Sequence, residues 1–115
     1  MDSIKDITKQ IIRFRDERDW KQFHSPKNLA ISISLEANEL LEHFQWNEND
    51  EIDKYVKNKK QEIAEEMADV FNYLILMAND LDIDLLKVTE QKLKKSAEKY
   101  PIKKAKGNSN KYTIL

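Results

Sequence analysis

Apolar residues recur every three or four positions along almost the whole chain, and this spacing constrains the fold more than any other feature. It is the repeat of one face of an α-helix, which has about 3.6 residues per turn. Nothing alternates with a period of two over a useful length, which argues against a sheet. Helix breakers are rare, since 115 residues include one Gly and two Pro. The sequence therefore predicts an all-α fold in a single domain.

Start and stop signals divide the chain into four main helices, which we expect to form a bundle. They are predicted over about residues 3–19, 25–46, 59–81 and 85–100. Ser3 is the predicted N-cap of the first, Ser25-Pro26 opens the second, and Asp82 or Asp84 caps the fourth. The polar segment 47–58 is predicted to be a loop that holds at most one short helix.

The composition excludes several kinds of site. Because the chain has no Cys, thiolate metal sites and thiol redox chemistry are excluded. Its apolar stretches are shorter than the roughly 20 residues that span a bilayer, and Met1 leads into charged residues rather than an apolar leader. We therefore expect a cytoplasmic protein with no membrane contact.

The formal net charge of -1 conceals an acidic middle and a basic C-terminal end. Residues 102–115 are predicted to be a basic tail that follows a helical domain of residues 1–101. Such a tail is either a solvated terminus or a surface that attracts a polyanionic partner. We expect no stable binding to nucleic acid.

Two polar stripes run along the second and third predicted helices. The members of each stripe are three or four residues apart and therefore lie on one helix face. The stripes consist of Ser32, Glu36, Glu39 and His43 on the second helix, and of Glu62, Glu66, Asp69 and Tyr73 on the third. Apolar residues flank each stripe on both sides, unlike an ordinary solvated face. The sequence thus predicts two matched acidic stripes that converge between the helices.

Four carboxylates of these stripes, Glu36, Glu39, Glu66 and Asp69, are candidate metal ligands. Ionised carboxylates that share a partly buried site repel each other and are costly to desolvate, and a divalent cation removes both problems. Ligation by oxygen alone favours a hard cation, so we expect Mg²⁺, with Mn²⁺ as the alternative. Because Mg²⁺ often binds through a few carboxylates and substrate phosphates, the acids also predict a phosphate-containing substrate.

Two other interpretations of the acids stay open at this point. The acids could form surface ion pairs with lysines, although the third predicted helix has no Lys or Arg between Gln61 and Leu81. A di-iron bundle also projects carboxylates inward, but it needs a His three residues after a Glu on two helices. Neither His24 nor His43 has a Glu at that position, which argues against di-iron.

Several short motifs lie near the predicted helix ends and along the acidic stripes, over about residues 11–101. They are Arg18-Asp19-Trp20, Gln22-Phe23-His24, Pro26-Lys27-Asn28, Leu35-Glu36, Glu39-Leu40, Phe44-Gln45-Trp46, Glu65-Glu66-Met67-Ala68-Asp69-Val70, Tyr73-Leu74 and Lys99-Tyr100-Pro101. Together these motifs resemble the MazG-like all-α nucleoside triphosphate pyrophosphohydrolases, in particular their short dCTP-pyrophosphatase-type branch.

The resemblance implies a house-cleaning enzyme of the nucleotide pool. It implies Mg²⁺-dependent hydrolysis of a (d)NTP to the monophosphate and pyrophosphate, and dCTP is a possible substrate. It also implies that the protein is a homodimer or homotetramer. It further implies that the residues that bind the metal and take part in catalysis are Glu36, Glu39, Glu66 and Asp69. The residues that it places around the nucleotide and its phosphates are Trp20, His24, Asn28, Trp46, Tyr73, Lys92 and Ser96.

Two positions depart from the family's usual pattern. Leu35 stands where the wider family often has a second Glu, which leaves the water-activating base unassigned. Glu62, Glu65 or a metal-bound hydroxide are the alternatives for that base. Ser96 stands where the family commonly has an Asn, and its shorter side chain bears on the nucleotide preference.

A competing hypothesis requires no catalysis. The chain could be a helical oligomerisation or regulatory module whose basic tail contacts a partner. This hypothesis predicts that Glu36→Gln and Asp69→Asn leave function intact, and that Mg²⁺ does not change the melting temperature.

Overall fold

The computed structural model describes residues 3–115, which form helices and turns and contain no strand. The four main helices are α1 (Ile4–Glu17), α2 (Pro26–Glu42), α3 (Asn49–Asp80) and α4 (Leu85–Lys99). A short α5 (Ile102–Ala105) and two 3-10 turns, Lys21–Phe23 and Tyr112–Ile114, complete the secondary structure. The predicted all-α class with four main helices is confirmed. Within residues 3–115, no helix combines the length and the hydropathy needed to cross a membrane.

Side-chain caps begin three of the main helices, as the sequence predicts. The side-chain oxygens of Ser3, Ser25 and Asp84 each accept a hydrogen bond of 3.1 Å from the backbone N–H three residues later. Each bond satisfies one of the N–H groups that lack a partner in the first turn of a helix. Of the two predicted caps for α4, Asp84 is therefore the correct one.

The second helix ends earlier than predicted, at Glu42 instead of near Trp46. After Glu42 the backbone bonds tighten, since the Phe44 N–H donates to the Leu41 carbonyl at 2.9 Å. The side-chain amide of Asn47 donates to the His43 carbonyl at 2.8 Å, which satisfies a carbonyl at the end of the helix. Residues 43–46 consequently form a turn rather than a further turn of α-helix.

The segment predicted as a loop is mostly helical, because α3 already begins at Asn49. Acidic residues in its first turn are favourable at the positive end of a helix dipole, and the Tyr55 ring contacts Phe44 edge to face at 6.2 Å between centroids. Lys59, with φ −117° and ψ 19°, interrupts the helical geometry and kinks α3 at the predicted start of the long helix. The loop prediction was wrong because tertiary packing stabilises this polar segment as helix.

The described residues divide into two compact units, with the boundary between Asp82 and Ile83. In the first unit, α2 packs along α3, and α1 packs against α3. Its buried apolar core consists of Leu29, Ile63, Ile75 and Leu76. The second unit contains α4 and α5, and the rings of Tyr100 and Tyr112 lie 6.1 Å apart in it. The predicted division into residues 1–101 and a basic tail of 102–115 stays a prediction.

Candidate active site

The two acidic stripes meet where α2 packs along α3. Glu36 and Glu39 of α2 and Glu66 of α3 each have a ligand oxygen, and these three atoms lie within 4.8 Å of one another. We call these three residues the acid cluster. Their spacing brings them together, because residues three apart on α2 share the face that is turned towards Glu66. The cluster has the size and the donor type of a site for a hard divalent cation.

Two oxygens of the acid cluster are buried and lack a partner. Glu36 Oε2 and Glu66 Oε2 have no hydrogen-bond partner among residues 3–115. A buried polar atom without a partner is costly, and a buried charge without one is more costly still. A bound cation would satisfy both oxygens, so the residues fit the metal that the sequence predicts.

The electrostatics of the acid cluster also favour a bound cation. Burial raises the pKa of Glu36 to about 7, and the charges of Glu39, Asp69 and Glu66 add to this effect. Burial also raises the pKa of Glu66, followed by the effects of Glu39 and Asp69. The negative charges therefore destabilise one another, and a divalent cation would reverse this effect.

Asp69, the fourth predicted ligand, lies one turn beyond Glu66 on α3. It is exposed and does not belong to the group of three close oxygens, although its charge acts on both Glu36 and Glu66. Its role as a ligand stays a prediction. Asp69 also lines a neighbouring cavity, so it connects the acid cluster with that cavity.

This cavity, which we call the α1–α3 cavity, has a volume of about 420 Å³. Its size is within the range of small-molecule sites. Its walls are apolar and aromatic with several polar side chains, and the lining residues are Ile7, Gln10, Ile11, Phe14, Arg15, Trp20, His24, Asp69, Asn72, Tyr73 and Leu76. Three of the predicted nucleotide-binding residues, Trp20, His24 and Tyr73, are among them.

The turn after α1 places Trp20 at the cavity. Asp19 has a left-handed backbone (φ 54°), which ends the helix, and the Trp20 N–H donates to the Arg15 carbonyl at 3.1 Å. The indole ring then meets the Phe14 ring edge to face, 5.7 Å between centroids. Trp20 thus presents an aromatic surface to the cavity, and the contact with Phe14 holds its ring in place.

His24 and Tyr73 form a second aromatic contact in the cavity, with ring centroids 6.3 Å apart. Burial and the nearby Arg15 charge lower the pKa of His24, so its ring is neutral at physiological pH. Its Nδ1 atom is buried and has no hydrogen-bond partner among the described residues. A neutral ring with an unsatisfied nitrogen is suited to a hydrogen bond with a ligand.

A buried ion pair supports the same wall of the cavity. The Arg15 side chain is 2% exposed, and that of Asp80 is 13% exposed. The guanidinium donates to both Asp80 oxygens, at 2.7 and 2.9 Å, which is the bidentate geometry of the stronger ion pairs. This hydrogen bonding raises the pKa of Arg15 and lowers that of Asp80. No sequence pattern indicates this pair, because the partners are 65 residues apart and on different helices.

Two predicted nucleotide-binding residues of the first unit lie outside the α1–α3 cavity. The side-chain amide of Asn28 donates to the Phe23 carbonyl at 3.0 Å, so it stabilises the turn before α2. Trp46 follows α2 and is 84% exposed. Their contacts with a nucleotide stay predictions.

Lys92 and Ser96 lie on α4, in the second unit. Lys92 is exposed and Ser96 is half-buried. Their predicted contacts with phosphate and with the nucleotide stay predictions.

A second cavity, of about 410 Å³, adjoins the acid cluster. It is lined by Glu39, Glu42, His43, Tyr55 and Glu66. His43 Nδ1 and the Tyr55 hydroxyl are 2.7 Å apart and share a hydrogen bond. The acid cluster therefore borders this cavity through Glu39 and Glu66, whereas Asp69 borders the α1–α3 cavity.

The alternatives for the water-activating base are not part of the acid cluster. Glu62 lies 3.7 Å from Lys59, and both side chains are about half exposed. Glu65 accepts a hydrogen bond from Gln61 at 3.4 Å. Within residues 3–115, no hydrogen bond or ion pair joins either carboxylate to the acid cluster. The water-activating base is therefore not assigned.

Comparison with known proteins is consistent with this arrangement. The family model for the MazG-like family matches residues 31–115. The chain is 35% identical to dCTP pyrophosphatase 1 of Rattus norvegicus and 34% identical to dCTP pyrophosphatase 1 of Homo sapiens; each match covers 98% of this chain and 68% of the relative. The crystal structure of a pyrophosphatase from Archaeoglobus fulgidus superimposes with a TM-score of 0.82 at 39% identity, covering 85% of this chain and 92% of that chain.

Proposed function

Since the chain belongs to the MazG-like family, we propose that it is a metal-dependent nucleotide pyrophosphohydrolase that converts dCTP to dCMP and pyrophosphate. The relatives named dCTP pyrophosphatase support the substrate. The observation that carries the proposal is the acid cluster, which has two buried and unpartnered oxygens. Asp69, one turn from Glu66 on α3, lines the neighbouring cavity with aromatic walls. The predicted cytoplasmic location remains part of this proposal.

Mg²⁺ is the proposed cation, with Mn²⁺ as the alternative, because all the candidate ligand atoms are carboxylate oxygens. Glu36, Glu39 and Glu66 would hold it, and Asp69 would complete the site from the next turn of α3. When bound, such a cation neutralises charge on the phosphates during hydrolysis. The buried oxygens of Glu36 and Glu66 would then have the partner that they lack.

The chain's own residues would orient the substrate. Trp20 and Tyr73 offer aromatic faces on which a base can stack, a contact worth roughly 1–3 kcal/mol per base. Asp69 lies between the acid cluster and the α1–α3 cavity, so the triphosphate would extend towards the acids with the base in the cavity. Water would attack one of the two phosphorus atoms joined by the α–β bridging oxygen, and the bond from that phosphorus to the bridging oxygen would break. The water oxygen would stay on the attacked phosphorus, a proton would pass to solvent, and dCMP and pyrophosphate would be the products.

A panel of nucleotides tests this function. Purified protein is incubated with each dNTP and Mg²⁺, and pyrophosphate and orthophosphate are assayed separately. We expect pyrophosphate release with dCTP as the preferred substrate. Release of orthophosphate instead, or no release from any nucleotide, would refute the proposal.

The raised pKa of Glu36 predicts how metal binding depends on pH. Its pKa is about 7 in the folded protein against an ordinary value of 4.5, so the ionised form destabilises the metal-free fold. Stability of the metal-free protein should therefore fall as pH rises from about 4.5 to about 7. A cation competes with the proton, so Mg²⁺ should raise the melting temperature more at pH 8 than at pH 6.

Differential scanning fluorimetry with and without Mg²⁺ measures both effects. The Glu36→Gln variant is the control, because it has no carboxyl at this position and should lose most of the pH dependence. An equal Mg²⁺ effect at both pH values in the wild-type protein would contradict this assignment.

We also propose that the protein is a homodimer or homotetramer. Large apolar side chains form exposed stripes on the helix pair that carries the acids: Ile31 and Leu35 on α2, and Met67, Phe71 and Leu74 on α3. Leu35 is 59% exposed and Met67 is 57% exposed. Contiguous apolar surface of this kind marks an association surface in soluble proteins, and a second copy presents the same stripes.

A charge placed in this stripe should separate the subunits. Leu74→Lys introduces an ammonium group that would have to be buried without a partner, so sedimentation velocity should show a shift towards monomer. Gln61→Lys, the same charge at an exposed position on the same helix, should leave the oligomer intact. A wild-type monomer, or a Leu74→Lys variant that sediments like the wild type, would contradict the proposed interface.

A further inference from the structure

On the α3 side, the wall of the α1–α3 cavity includes the side-chain amide of Asn72, which has no role in the function proposed above. Asp69, Asn72, Tyr73 and Leu76 follow the helical spacing of three and four residues, and all four line the cavity. Asn72 is half-buried. No hydrogen bond, ion pair or ring contact engages its side chain within residues 3–115, so its amide can serve a ligand.

The surroundings of Asn72 suit a nucleobase. It adjoins Tyr73 in sequence, and Trp20 also lines the cavity, so an amide and aromatic faces are available in the same space. By contrast, the Arg15 guanidinium lines the same cavity but is bound to Asp80. Asn72 lies three residues beyond Asp69, about 4.5 Å along the helix axis, so it is farther than Asp69 from Glu66 and the acid cluster.

A carboxamide matches the hydrogen-bonding edge of a 4-aminopyrimidine. The base presents the exocyclic N4–H as a donor and the ring N3 as an acceptor. The amide presents Oδ1 as an acceptor and Nδ2–H as a donor. The two groups can therefore form two parallel hydrogen bonds, in the way that Asn pairs with the adjacent amino and ring nitrogens of adenine.

We propose that Asn72 is a specificity-determining residue that binds the N3 and N4 edge of a cytosine base in the α1–α3 cavity. This inference rests on the proposed function, since it assumes that a nucleotide occupies the cavity. Oδ1 accepts from the exocyclic amino group, and Nδ2 donates to N3. Asn72 thereby fixes the base at one end of the substrate while the acid cluster serves the phosphates at the other.

The test compares dCTP with the analogue whose base is 2-pyrimidinone, which lacks only the exocyclic amino group. For the wild-type protein, kcat/KM for the analogue should be about tenfold lower, because one hydrogen bond is lost and the Asn72 Oδ1 is left without a partner against the base. Asn72→Ala should lower kcat/KM for dCTP by more than about tenfold, mainly through KM, because both hydrogen bonds are lost. In that variant the ratio between the two substrates should fall to about one, because the group that senses the amine is gone.

Asn58→Ala is the matched control, since it removes the same amide from an exposed position of α3 outside the cavity. It should keep the wild-type ratio. A merely structural role for Asn72 would lower the activity on both substrates equally and leave the ratio unchanged. That result, or a wild-type ratio of about one, would overturn the proposal.

Binding separates this proposal from the proposed function. If the wild-type protein releases no pyrophosphate from dCTP, the enzymatic assignment fails, and calorimetry with dCMP and its 2-pyrimidinone counterpart then tests Asn72 alone. The proposal expects about tenfold weaker binding of the analogue by the wild-type protein and equal binding of both by Asn72→Ala. Equal binding of both by the wild type, or no binding of either, would refute it.

Discussion

Glu36→Gln should abolish pyrophosphate release from dCTP and at the same time raise the melting temperature of the metal-free protein. Turnover should fall by about 10³-fold or more, because a ligand of the cation that stabilises the transition state is lost. Stability should rise by a few degrees because a neutral amide replaces a carboxylate that is crowded by Glu39, Asp69 and Glu66. The Gln side chain can also donate hydrogen bonds to its acidic neighbours.

Asp53→Asn, which removes a charge from an exposed position of α3 outside the acid cluster, is the control and should change neither quantity. Activity is measured by pyrophosphate release and stability by thermal melting in the presence of a chelator. The opposite pair of results, full activity with reduced stability, would indicate that Glu36 is a structural residue. Intact activity is also what the competing hypothesis of a non-catalytic module predicts.

Asp80→Asn should destabilise the fold by about 3–5 kcal/mol, because it leaves a buried guanidinium without its counter-charge. The Arg15 side chain is 2% exposed and donates to both oxygens of Asp80. Urea unfolding at a fixed protein concentration measures the loss, since association would otherwise contribute to apparent stability. Arg15→Met combined with Asp80→Leu should recover much of it, because an apolar pair needs no counter-charge.

The matched control is Glu17→Gln, which removes the Arg13–Glu17 pair on α1. Arg13 Nε and Glu17 Oε1 are 2.8 Å apart, but the two side chains are 82% and 57% exposed. The loss of this pair should therefore cost less than about 1 kcal/mol. Because the pKa of Asp80 is lowered from 3.8 in the folded protein, its contribution is present above that value and is lost as the pH falls below it. Similar losses for Asp80→Asn and Glu17→Gln would contradict the account of the buried pair.

The helices and the acid cluster were largely predictable from local spacing. Ser3, Ser25 and Asp84 are caps whose chemistry depends on the next three residues alone, and such signals are visible in a sequence. The same holds for the three carboxylates of the acid cluster, because positions three apart on a helix share a face. Their convergence also requires α2 to pack on α3, and the apolar edges of both stripes indicated that packing.

Features that depend on distant contacts were not predictable in this way. The helical start of α3 depends on Tyr55 contacting Phe44, which outweighs the polar composition of the segment. The Arg15–Asp80 pair joins residues on two helices that no spacing rule connects. Asn72 is an intermediate case, since continuing the acidic stripe three residues past Asp69 reaches it, but its unpaired amide is visible only in the structure.

We propose above all that the acid cluster, once loaded with a divalent cation, supports cleavage between the α and β phosphates of dCTP. ³¹P NMR of the reaction follows every phosphorus atom at once, with the wild-type protein and Glu36→Gln, each with Mg²⁺ and with a chelator. We predict that dCMP and pyrophosphate appear in equal amounts only for the wild-type protein with Mg²⁺. Formation of dCDP and orthophosphate would contradict this proposal. So would dCMP formation that is as fast with the chelator, or with Glu36→Gln, as with the wild-type protein and Mg²⁺.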